Sequence, residues 1–331
     1  MEVAGIVFRN HQGIIVHTPA RPLLRDVDTL PMPKREAIDM RLYLEAWRRR
    51  HGSGAISIST MRGCPFTCRW CSRAVYGETY RRRSPRLVVD EMEIIRERWD
   101  PEILWFVDDV FTINAKWTEV FAAQVRERDA RVPYECITRA DRLDERTADL
   151  LAESGAFRVW IGAESGSQRI LDAMDRRVTA EQVQRSIALC RDRGIETGTF
   201  IMLGYPGETE ADIIATIDHL KKASPDLFTV TVAYPITGTP FHEQVREEII
   251  ETAPWERSSD RDLRYNRPYS DAYYRHALRR MVNEVELHKL IRSGRILSGR
   301  AILHAGKSIL ARLGMSVSRN AHQHVSAERP D

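Results

Sequence analysis

The sequence predicts an α/β protein built as a partial (β/α)6, TIM-like barrel. Two observations support this fold: the alternation of apolar and amphipathic segments, and the lengths of those segments. From residue 54 onward, short apolar segments alternate with longer amphipathic segments, six times in succession. Segments of about 4 to 8 residues that alternate with helical patterns of about 10 to 15 are typical of βαβ units in a parallel sheet. Because the carboxyl ends of parallel strands meet at one edge, we expect the chemistry of the protein to gather there.

The predicted elements follow one another without long gaps, and capping residues support several of their boundaries. Asn114 and Thr179 are suited to begin helices, and Gly155 and Gly194 are suited to end them. Strands are predicted at residues 55–60, 103–108, 134–138, 157–163, 196–203 and 227–234, and helices at residues 86–99, 115–129, 144–154, 179–193, 208–223 and 239–251.

The barrel, predicted for residues 51–254, follows an N-terminal segment of different composition. Residues 3–17 predict two short strands around the turn 9–13. Four prolines between Thr18 and Pro33 then predict an extended connector. Residues 1–50 are therefore expected to form a hairpin and a proline-rich linker, the remnant of a preceding domain.

After residue 254 the alternation stops, and a helical extension is predicted for residues 255–316, with a disordered tail at 317–331. Helices are expected at 271–288 and 296–313. From Trp255 to the end there are 15 Lys and Arg against 8 Asp and Glu, a balance of +7 against +3 for the whole chain. Two interpretations follow: a helical cap over the open barrel, or a basic amphipathic helix that touches a membrane surface or a lipophilic substrate.

The amino-acid composition indicates the class of protein and the cellular compartment that we expect for it. Its 331 residues are 43% hydrophobic and 29% charged, which is ordinary for a globular protein. The sequence contains no apolar run of about 18 residues, so we expect no transmembrane helix. The N-terminus lacks the basic and apolar regions of a signal peptide. The chain has five cysteines, and three of them are clustered, which predicts a protein of the reducing cytoplasm and not a disulfide framework. We expect no nucleic-acid partner.

Three cysteines, Cys64, Cys68 and Cys71, follow the first predicted strand at spacings of four and three residues. Three thiolates on one short loop can hold three corners of a metal centre. Structural zinc takes four protein ligands, and no fourth Cys or His follows at zinc-finger spacing. Iron–sulfur clusters usually take four thiolates, and a cluster with three keeps one iron open to a substrate. A zinc loop and buried structural cysteines are the alternatives; Cys136 and Cys190 are expected in the core.

Polar residues and a glycine-rich turn lie where four further predicted strands end. Asp108 and Asp109 follow the second strand, Arg139 the third and Glu164 the fourth, and the fifth runs into the turn 204–207. A buried carboxylate needs a partner, so two adjacent aspartates at a strand end indicate either a site or a helix cap with a surface acid. Strand alternation puts one aspartate inward without deciding which. Arg139 is suited to a ligand carboxylate or to a salt bridge with a neighbouring acid.

The motif Cys64-x3-Cys68-x2-Cys71 resembles the cluster motif of radical S-adenosylmethionine (SAM) enzymes, and residues 162–166 resemble their Gly-x-Glu-Ser-Gly segment. The resemblance covers roughly residues 14–250. It implies that the three cysteines hold a 4Fe–4S cluster whose fourth iron chelates SAM. One electron then cleaves SAM to methionine and a 5′-deoxyadenosyl radical, which abstracts hydrogen from an unreactive carbon.

The resemblance also implies roles for the other motif residues. Asp108 and Asp109 match an acidic motif that accepts hydrogen bonds from the SAM ammonium. Glu164, taken as a catalytic residue with the three cysteines, accepts hydrogen bonds from the SAM ribose or ammonium. The remaining residues expected to bind cofactor are Phe66, Trp70 beside the adenine, Arg139, Gly204 and Gly207.

The turn 204–209 and the proline-rich connector resemble the cobalamin-associated branch of that family, which includes methyltransferases and an anaerobic magnesium-protoporphyrin monomethyl ester cyclase. No Asp-x-His-x-x-Gly, the cobalt-ligand signature of the branch, occurs in the chain. The cobalamin-binding domain is therefore expected to be missing, lost by truncation or carried on another polypeptide, and cobalamin stays open as a cofactor.

The resemblance implies an enzyme that methylates or otherwise modifies an unactivated carbon of a small-molecule substrate. An electron donor of the flavodoxin or ferredoxin type is the expected partner. The first alternative is an oxidative cyclase of a tetrapyrrole or similar lipophilic substrate. The second, of another class, is a non-catalytic iron–sulfur or zinc module that partners another chain.

Overall fold

The structure is a computed structural model that describes residues 3–73, 76–250, 257 and 259–319. Its strands are β1 (Val7–Arg9), β2 (Ile15–His17), β3 (Ala55–Ile58), β4 (Met61–Arg62), β5 (Arg81–Arg82), β6 (Ile103–Phe106), β7 (Tyr134–Thr138), β8 (Ala156–Glu164), β9 (Glu196–Leu203), β10 (Leu227–Val232), β11 (Ile249–Ile250) and β12 (Arg264–Tyr265). Its α-helices are α1 (Met40–His51), α2 (Pro85–Trp99), α3 (Ala115–Glu127), α4 (Glu145–Ser154), α5 (Gln168–Ala173), α6 (Ala180–Arg191), α7 (Glu210–Ala223), α8 (Pro240–Gln244), α9 (Asp271–Arg292) and α10 (Gly299–Ser318).

Six strands form one sheet in the order β10-β9-β8-β7-β6-β3, and every neighbouring pair is parallel. This arrangement confirms the predicted partial barrel. The register of β8 against β9 shifts between Gly162 and Glu164. A bulge of this kind re-aims the side chains that follow it, and here it lies at the carboxyl end of the strand that carries Glu164.

The main core lies between the sheet and its helices and is rich in aromatic side chains. The ring of Phe106 lies 5.0 Å from that of Tyr134 and 5.9 Å from that of Phe121. Cys136 and Cys190 are fully buried in the same core, as predicted. Burial of this apolar surface stabilises the sheet and fixes the edge at which the strands end.

Three of the four predicted caps are confirmed, whereas α6 ends at the cap Asp192, two residues before the predicted Gly194. The Asn114 side chain accepts a hydrogen bond from the Trp117 backbone N–H, and Thr179 forms a capping box with Gln182. Gly155 ends α4 in the left-handed conformation, at φ +104°. These local signals account for the agreement between predicted and observed boundaries in the barrel.

The helix predicted at 239–251 is wrong beyond Gln244. The chain there makes a 3₁₀ turn at Arg246–Glu248 and then forms β11, which pairs antiparallel with β12. The β-branched pair Ile249–Ile250 suits a strand. The pairing also brings Tyr265 into a second apolar cluster, which consists of Ile170, Met174, Tyr205, Ala233, Phe241, Val245 and Tyr265. The later strand β12 supplies the partner that favours the extended form of Ile249 and Ile250.

Two helices were not predicted. Helix α1 begins at an Asp39 cap and ends at Gly52, inside the segment predicted as hairpin and linker, and α5 follows β8. The predicted hairpin is present as β1 paired with β2.

The C-terminal helices stack outward from the barrel: α9 packs on α7, and α10 packs on α9. Glu284 joins all three helices. Its carboxylate lies 2.6 Å from Lys221 Nζ on α7, 2.8 Å from Arg280 Nε on α9 and 2.7 Å from Arg312 Nη2 on α10. Helix α10 continues to Ser318, and residues 320–331 of the predicted tail lie outside the described residues.

In the part of the chain that the structure describes, none of the helices combines the length and the apolar character that crossing a bilayer requires.

Candidate active site

The cysteine-bearing loop, residues 63–71, begins directly after β4 at the carboxyl edge of the sheet. Gly63 has φ +83°, and a Cβ at this position would lie 2.1 Å from the Thr79 carbonyl oxygen. Only glycine fits that close backbone approach. The turn delivers Cys64 and Cys68 as buried thiols and Cys71 as a half-buried one.

Among the described residues, no group of three or more Cys, His, Asp or Glu side chains is arranged to hold a single metal ion. A polynuclear cluster takes each thiolate on a different iron. Burial raises the pKa of Cys64, and burial with the nearby Asp109 charge raises that of Cys71 to about 12, so metal binding must displace protons.

Two buried arginines face the thiol of Cys68. Arg139 Nη1 lies 3.5 Å and Arg176 Nη1 3.7 Å from Cys68 Sγ. The Arg139 guanidinium also stacks 3.8 Å from the ring centroid of Phe66 and donates to Asp141 at 2.8 Å. The alternative salt bridge of Arg139 is therefore present together with its approach to the cysteine loop. Two cations at this position offset the negative charge that thiolate ligation brings.

Arg176 was not predicted, and a strained turn directs it inward. Its neighbours Asp175 and Arg177 have φ +50° and +53°. Such conformations cost free energy in non-glycine residues and concentrate at functional sites. The Thr67 hydroxyl hydrogen-bonds to Asp175, and the Arg69 N–H donates to the Met174 carbonyl at 3.0 Å, so this turn is tied to the cysteine loop. No periodic pattern marks Arg176, because it lies in a connection between helices.

Glu164 lies beside Arg176 and is buried to nine-tenths. It has φ +62°, and its Oε1 lies 3.9 Å from Arg176 Nε. Burial raises the pKa of Glu164, while Arg176 and Arg139 oppose the shift. Arg176 Nε has no hydrogen-bond partner among the described residues. The pair thus offers a buried cation and a buried anion with hydrogen-bonding capacity to spare, which suits a ligand carrying both a carboxylate and an ammonium group.

Gly162 provides the space for this pair. A Cβ at Gly162 would lie 2.4 Å from Arg176 Nη2 and 2.8 Å from Glu164 Oε1. The Gly162 carbonyl in turn accepts a hydrogen bond from Arg176 Nη2 at 2.8 Å. The absence of a side chain at Gly162 therefore leaves room for both charged groups.

The structure distinguishes the two aspartates that the sequence left equivalent. Asp108 is buried, and its Oδ1 accepts from the backbone N–H groups of Thr60 at 2.7 Å and Met61 at 3.0 Å. Its Oδ2 lies 3.6 Å from Arg82 Nη2. Asp108 thus anchors the chain entering the cysteine loop. Asp109 is exposed and lines a cavity of about 220 Å³ together with Cys64.

Trp70 and the two glycines lie near the second apolar cluster or its neighbouring turn. Trp70 packs against that cluster. Gly204 has φ +79°, its N–H donates to Glu208 at 2.6 Å, and its carbonyl accepts from the Tyr265 hydroxyl. The Gly207 carbonyl accepts from Arg169 at 2.9 Å. Gly204 is thus braced against the C-terminal segment, and the role of both glycines beside adenine stays a prediction.

Comparison with known proteins gives the same family as the motifs. Residues 58–220 match the profile of the Radical SAM superfamily. An uncharacterised methyltransferase of Pyrococcus horikoshii is 28% identical over 256 residues, which is 76% of this chain and 54% of the relative. An anaerobic magnesium-protoporphyrin IX monomethyl ester cyclase of Rubrivivax gelatinosus is 30% identical over 228 residues, 68% of this chain and 40% of the relative.

Solved structures give the same fold. The cobalamin-dependent S-adenosylmethionine radical enzyme OxsB aligns with a TM-score of 0.68 at 16% identity, over 94% of this chain and 52% of that chain. The chain thus spans about half the length of the proteins it matches.

Proposed function

Because residues 58–220 match the Radical SAM superfamily, we propose that this chain cleaves SAM reductively and uses the radical produced to modify an unactivated carbon. The observation that carries the proposal is the buried pair Arg176 and Glu164 beside the thiol of Cys68. A charged pair at the cysteine loop is what a zwitterionic cosubstrate held at a metal centre requires.

Cys64, Cys68 and Cys71 are the proposed ligands of a 4Fe–4S cluster. The chemistry such a cluster supplies when bound is one-electron cleavage of SAM. The donor set fits: three thiols lie on one loop, and two buried guanidinium groups, those of Arg139 and Arg176, approach Cys68. Their positive charge offsets the negative charge that thiolate ligation of a cluster brings.

The methionyl end of SAM is the proposed ligand of the buried pair. Arg176 has an unpartnered Nε and is suited to donate to the carboxylate, because guanidinium groups bind carboxylates through two parallel hydrogen bonds. Glu164 then accepts from the ammonium group. Fixing both ends of the zwitterion orients the sulfonium and excludes water from it. Asp109 is the aspartate proposed for the cofactor side, since Asp108 already has its partners inside the protein.

Methylation of a small molecule is the proposed overall reaction, and the similarity to a methyltransferase of P. horikoshii supports it. The cyclase of R. gelatinosus supports oxidative cyclisation of a lipophilic substrate as a second candidate. Cobalamin, carried on another domain or chain, belongs to the first candidate. A flavodoxin- or ferredoxin-type donor in the cytoplasm is the proposed electron source for both.

The test is anaerobic reconstitution with iron and sulfide, followed by addition of reductant and SAM and quantification of 5′-deoxyadenosine. Wild-type protein is expected to bind about four irons and to release 5′-deoxyadenosine. Cys68→Ala is expected to lose both properties. Cys190→Ala is the matched control, because Cys190 is buried in the core away from the loop.

Three results would contradict the proposal. Zinc bound in place of iron would favour the non-catalytic module. If the protein assembled a full cluster but did not bind SAM, Arg176 and Glu164 would not have the proposed role in SAM binding. If Cys68→Ala released as much 5′-deoxyadenosine as the wild-type protein, Cys68 would not be a ligand of the cluster.

A further inference from the structure

Helix α10 packs mostly small side chains and Met315 inward, and its large branched aliphatic side chains point outward. The residues that α10 buries are Ala301, Ser308, Ala311, Met315 and Ser318. The apolar face of α10 consists of six large aliphatic residues whose exposed fractions run from 51% to 85%: Ile302, Leu303, Ile309, Leu310, Leu313 and Val317. Single exposed aliphatic residues are ordinary on protein surfaces, whereas a contiguous stripe marks an interaction site.

The pairing of α10 with α9 explains why this face stays outside. A Cβ at Gly314 would lie 2.3 Å from the His276 ring, so the two helices approach closely where α10 carries no side chain. Arg312 and Ser308 also reach Glu284 from this side. The inner face is therefore fixed by small residues and one buried carboxylate, and at 100° per residue the aliphatic stripe lies on the opposite side.

The chain segment that contains the apolar face carries positive charge only. Residues 287–327 contain seven Lys and Arg and no Asp or Glu, although the whole chain has 47 acidic residues. Two of these cations pair with acids from other elements, Arg312 with Glu284 and Arg319 with Glu210. Four others are exposed and make no ion pair within the described part of the chain: Arg292, Arg295, Arg300 and Lys307.

We propose that α10 docks the protein on an anionic phospholipid surface, with its apolar face inserted at the boundary between headgroups and acyl chains. A helix with an aliphatic stripe and basic flanks has the chemistry of an interfacial membrane helix. Its 20 residues extend for about 30 Å, and because only one side of the helix is apolar, α10 is expected to lie along the surface. Lys307 lies at the edge of the stripe, where a long cationic side chain extends to lipid phosphates.

Charge complementarity selects this occupant over a second copy of the chain. Two copies joined through this face would bring their unpaired cations together without acids to neutralise them. An anionic leaflet supplies the opposite charge over the whole length of the helix. Self-association is therefore the alternative that the experiment has to separate.

The experiment is cosedimentation of the full chain with phosphatidylcholine vesicles and with mixed phosphatidylcholine–phosphatidylglycerol vesicles, at low and high salt. Wild-type protein is expected to bind the mixed vesicles about tenfold or more tightly than the neutral ones, and less tightly at high salt. Leu310→Glu combined with Leu313→Glu is expected to lose at least about tenfold in that binding, because both side chains lie on the apolar face.

The matched control is Leu42→Glu combined with Tyr43→Glu on α1. It adds the same charge at side chains that are 62% and 61% exposed, close to the 68% and 59% of Leu310 and Leu313. This control is expected to lose clearly less binding than the α10 variant. A charge variant, Arg300→Gln with Lys307→Gln, is expected to bind mixed vesicles less tightly and with a smaller salt effect.

Circular dichroism and 5′-deoxyadenosine release establish that each variant is folded. Three outcomes would overturn the proposal: wild-type protein that does not bind mixed vesicles, an α10 variant that binds as tightly as wild type, or a loss in the control as large as in the α10 variant. A dimer of the wild-type protein that the α10 variant dissociates, seen by sedimentation velocity, would also overturn it in favour of self-association.

Discussion

The guanidinium of Arg176 lies 3.9 Å from the carboxylate of Glu164, and the same guanidinium reaches within 3.7 Å of Cys68 Sγ. A cation, an anion and a thiol that are far apart in the sequence thus meet at the carboxyl edge of the sheet.

Arg176→Gln is expected to weaken SAM binding by about 10- to 100-fold, since a hydrogen-bonded charge pair contributes about 1.5–3 kcal/mol. Isothermal titration on the reconstituted protein measures the change. Arg177→Gln is the control, because Arg177 is the adjacent residue, its side chain is 68% exposed, and it pairs with Asp175. Equal losses of SAM affinity in the two variants would show that Arg176 does not bind SAM.

Gly162→Ala is expected to keep the fold and to weaken SAM binding about tenfold. The added Cβ would meet the flexible end of Arg176 at 2.4 Å, so the guanidinium shifts while the backbone stays. The accompanying loss in the free energy of unfolding is expected to be about 1–3 kcal/mol. Gly306→Ala, where the Cβ would meet nothing within 4 Å, is expected to leave SAM affinity unchanged. Unchanged affinity in Gly162→Ala would show that the pair is not at the SAM site.

Asp108→Asn is expected to lower the free energy of unfolding by about 3–5 kcal/mol, because it leaves the buried Arg82 cation without its countercharge. Asp109→Asn is expected to change that free energy by less than about 0.5 kcal/mol, since Asp109 is exposed. Urea denaturation of the metal-free protein compares the two. Similar losses would show that Asp108 has no special anchoring role.

Glu208 is expected to make stability fall as pH rises. Burial raises the pKa of Glu208 to about 8, and its Oε1 has no hydrogen-bond partner among the described residues. Between about pH 4.5 and 8 the unfolded chain releases this proton while the folded chain keeps it, so stability is lost by up to about 1.4 kcal/mol per pH unit.

Glu208→Gln replaces the titratable carboxyl group with an amide, whose oxygen can still accept the hydrogen bond from the Gly204 N–H. Its melting temperature is therefore expected to exceed that of wild type by a margin that grows from about pH 5 to pH 8 and then levels off. Thermal melts across this range measure the margin. A margin that is constant with pH would mean that Glu208 titrates normally.

Some of the site could be read from sequence because its signals are local. The spacing of Cys64, Cys68 and Cys71 confines three thiols to one loop whatever the rest of the chain does. The caps at Asn114 and Thr179 act through neighbouring residues and were confirmed for the same reason. Glu164 stood out because its flanking glycines, Gly162 and Gly166, resemble a family motif.

Other features could not be read from sequence because they depend on distant partners. Strand alternation could not separate Asp108 from Asp109, since β6 ends at Phe106 and both aspartates lie beyond it. Arg176 reaches Cys68 across 108 residues of sequence. The helix predicted through residue 251 gave way to a strand because β12 supplies a partner for Ile249 and Ile250.

The sequence by itself determined the alternating barrel, the cysteine loop and the two-sided character of α10, because each follows from the spacing of residue types along the chain. Only the tertiary structure decided which side of α10 packs inward and which charges meet at Cys68. Close helix packing at Gly314 favours the small side chains of α10 and leaves its aliphatic stripe outside. Packing of the strained turn around Arg176 against the cysteine loop brings cation and thiol together, and contacts of this kind leave no periodic trace in a sequence.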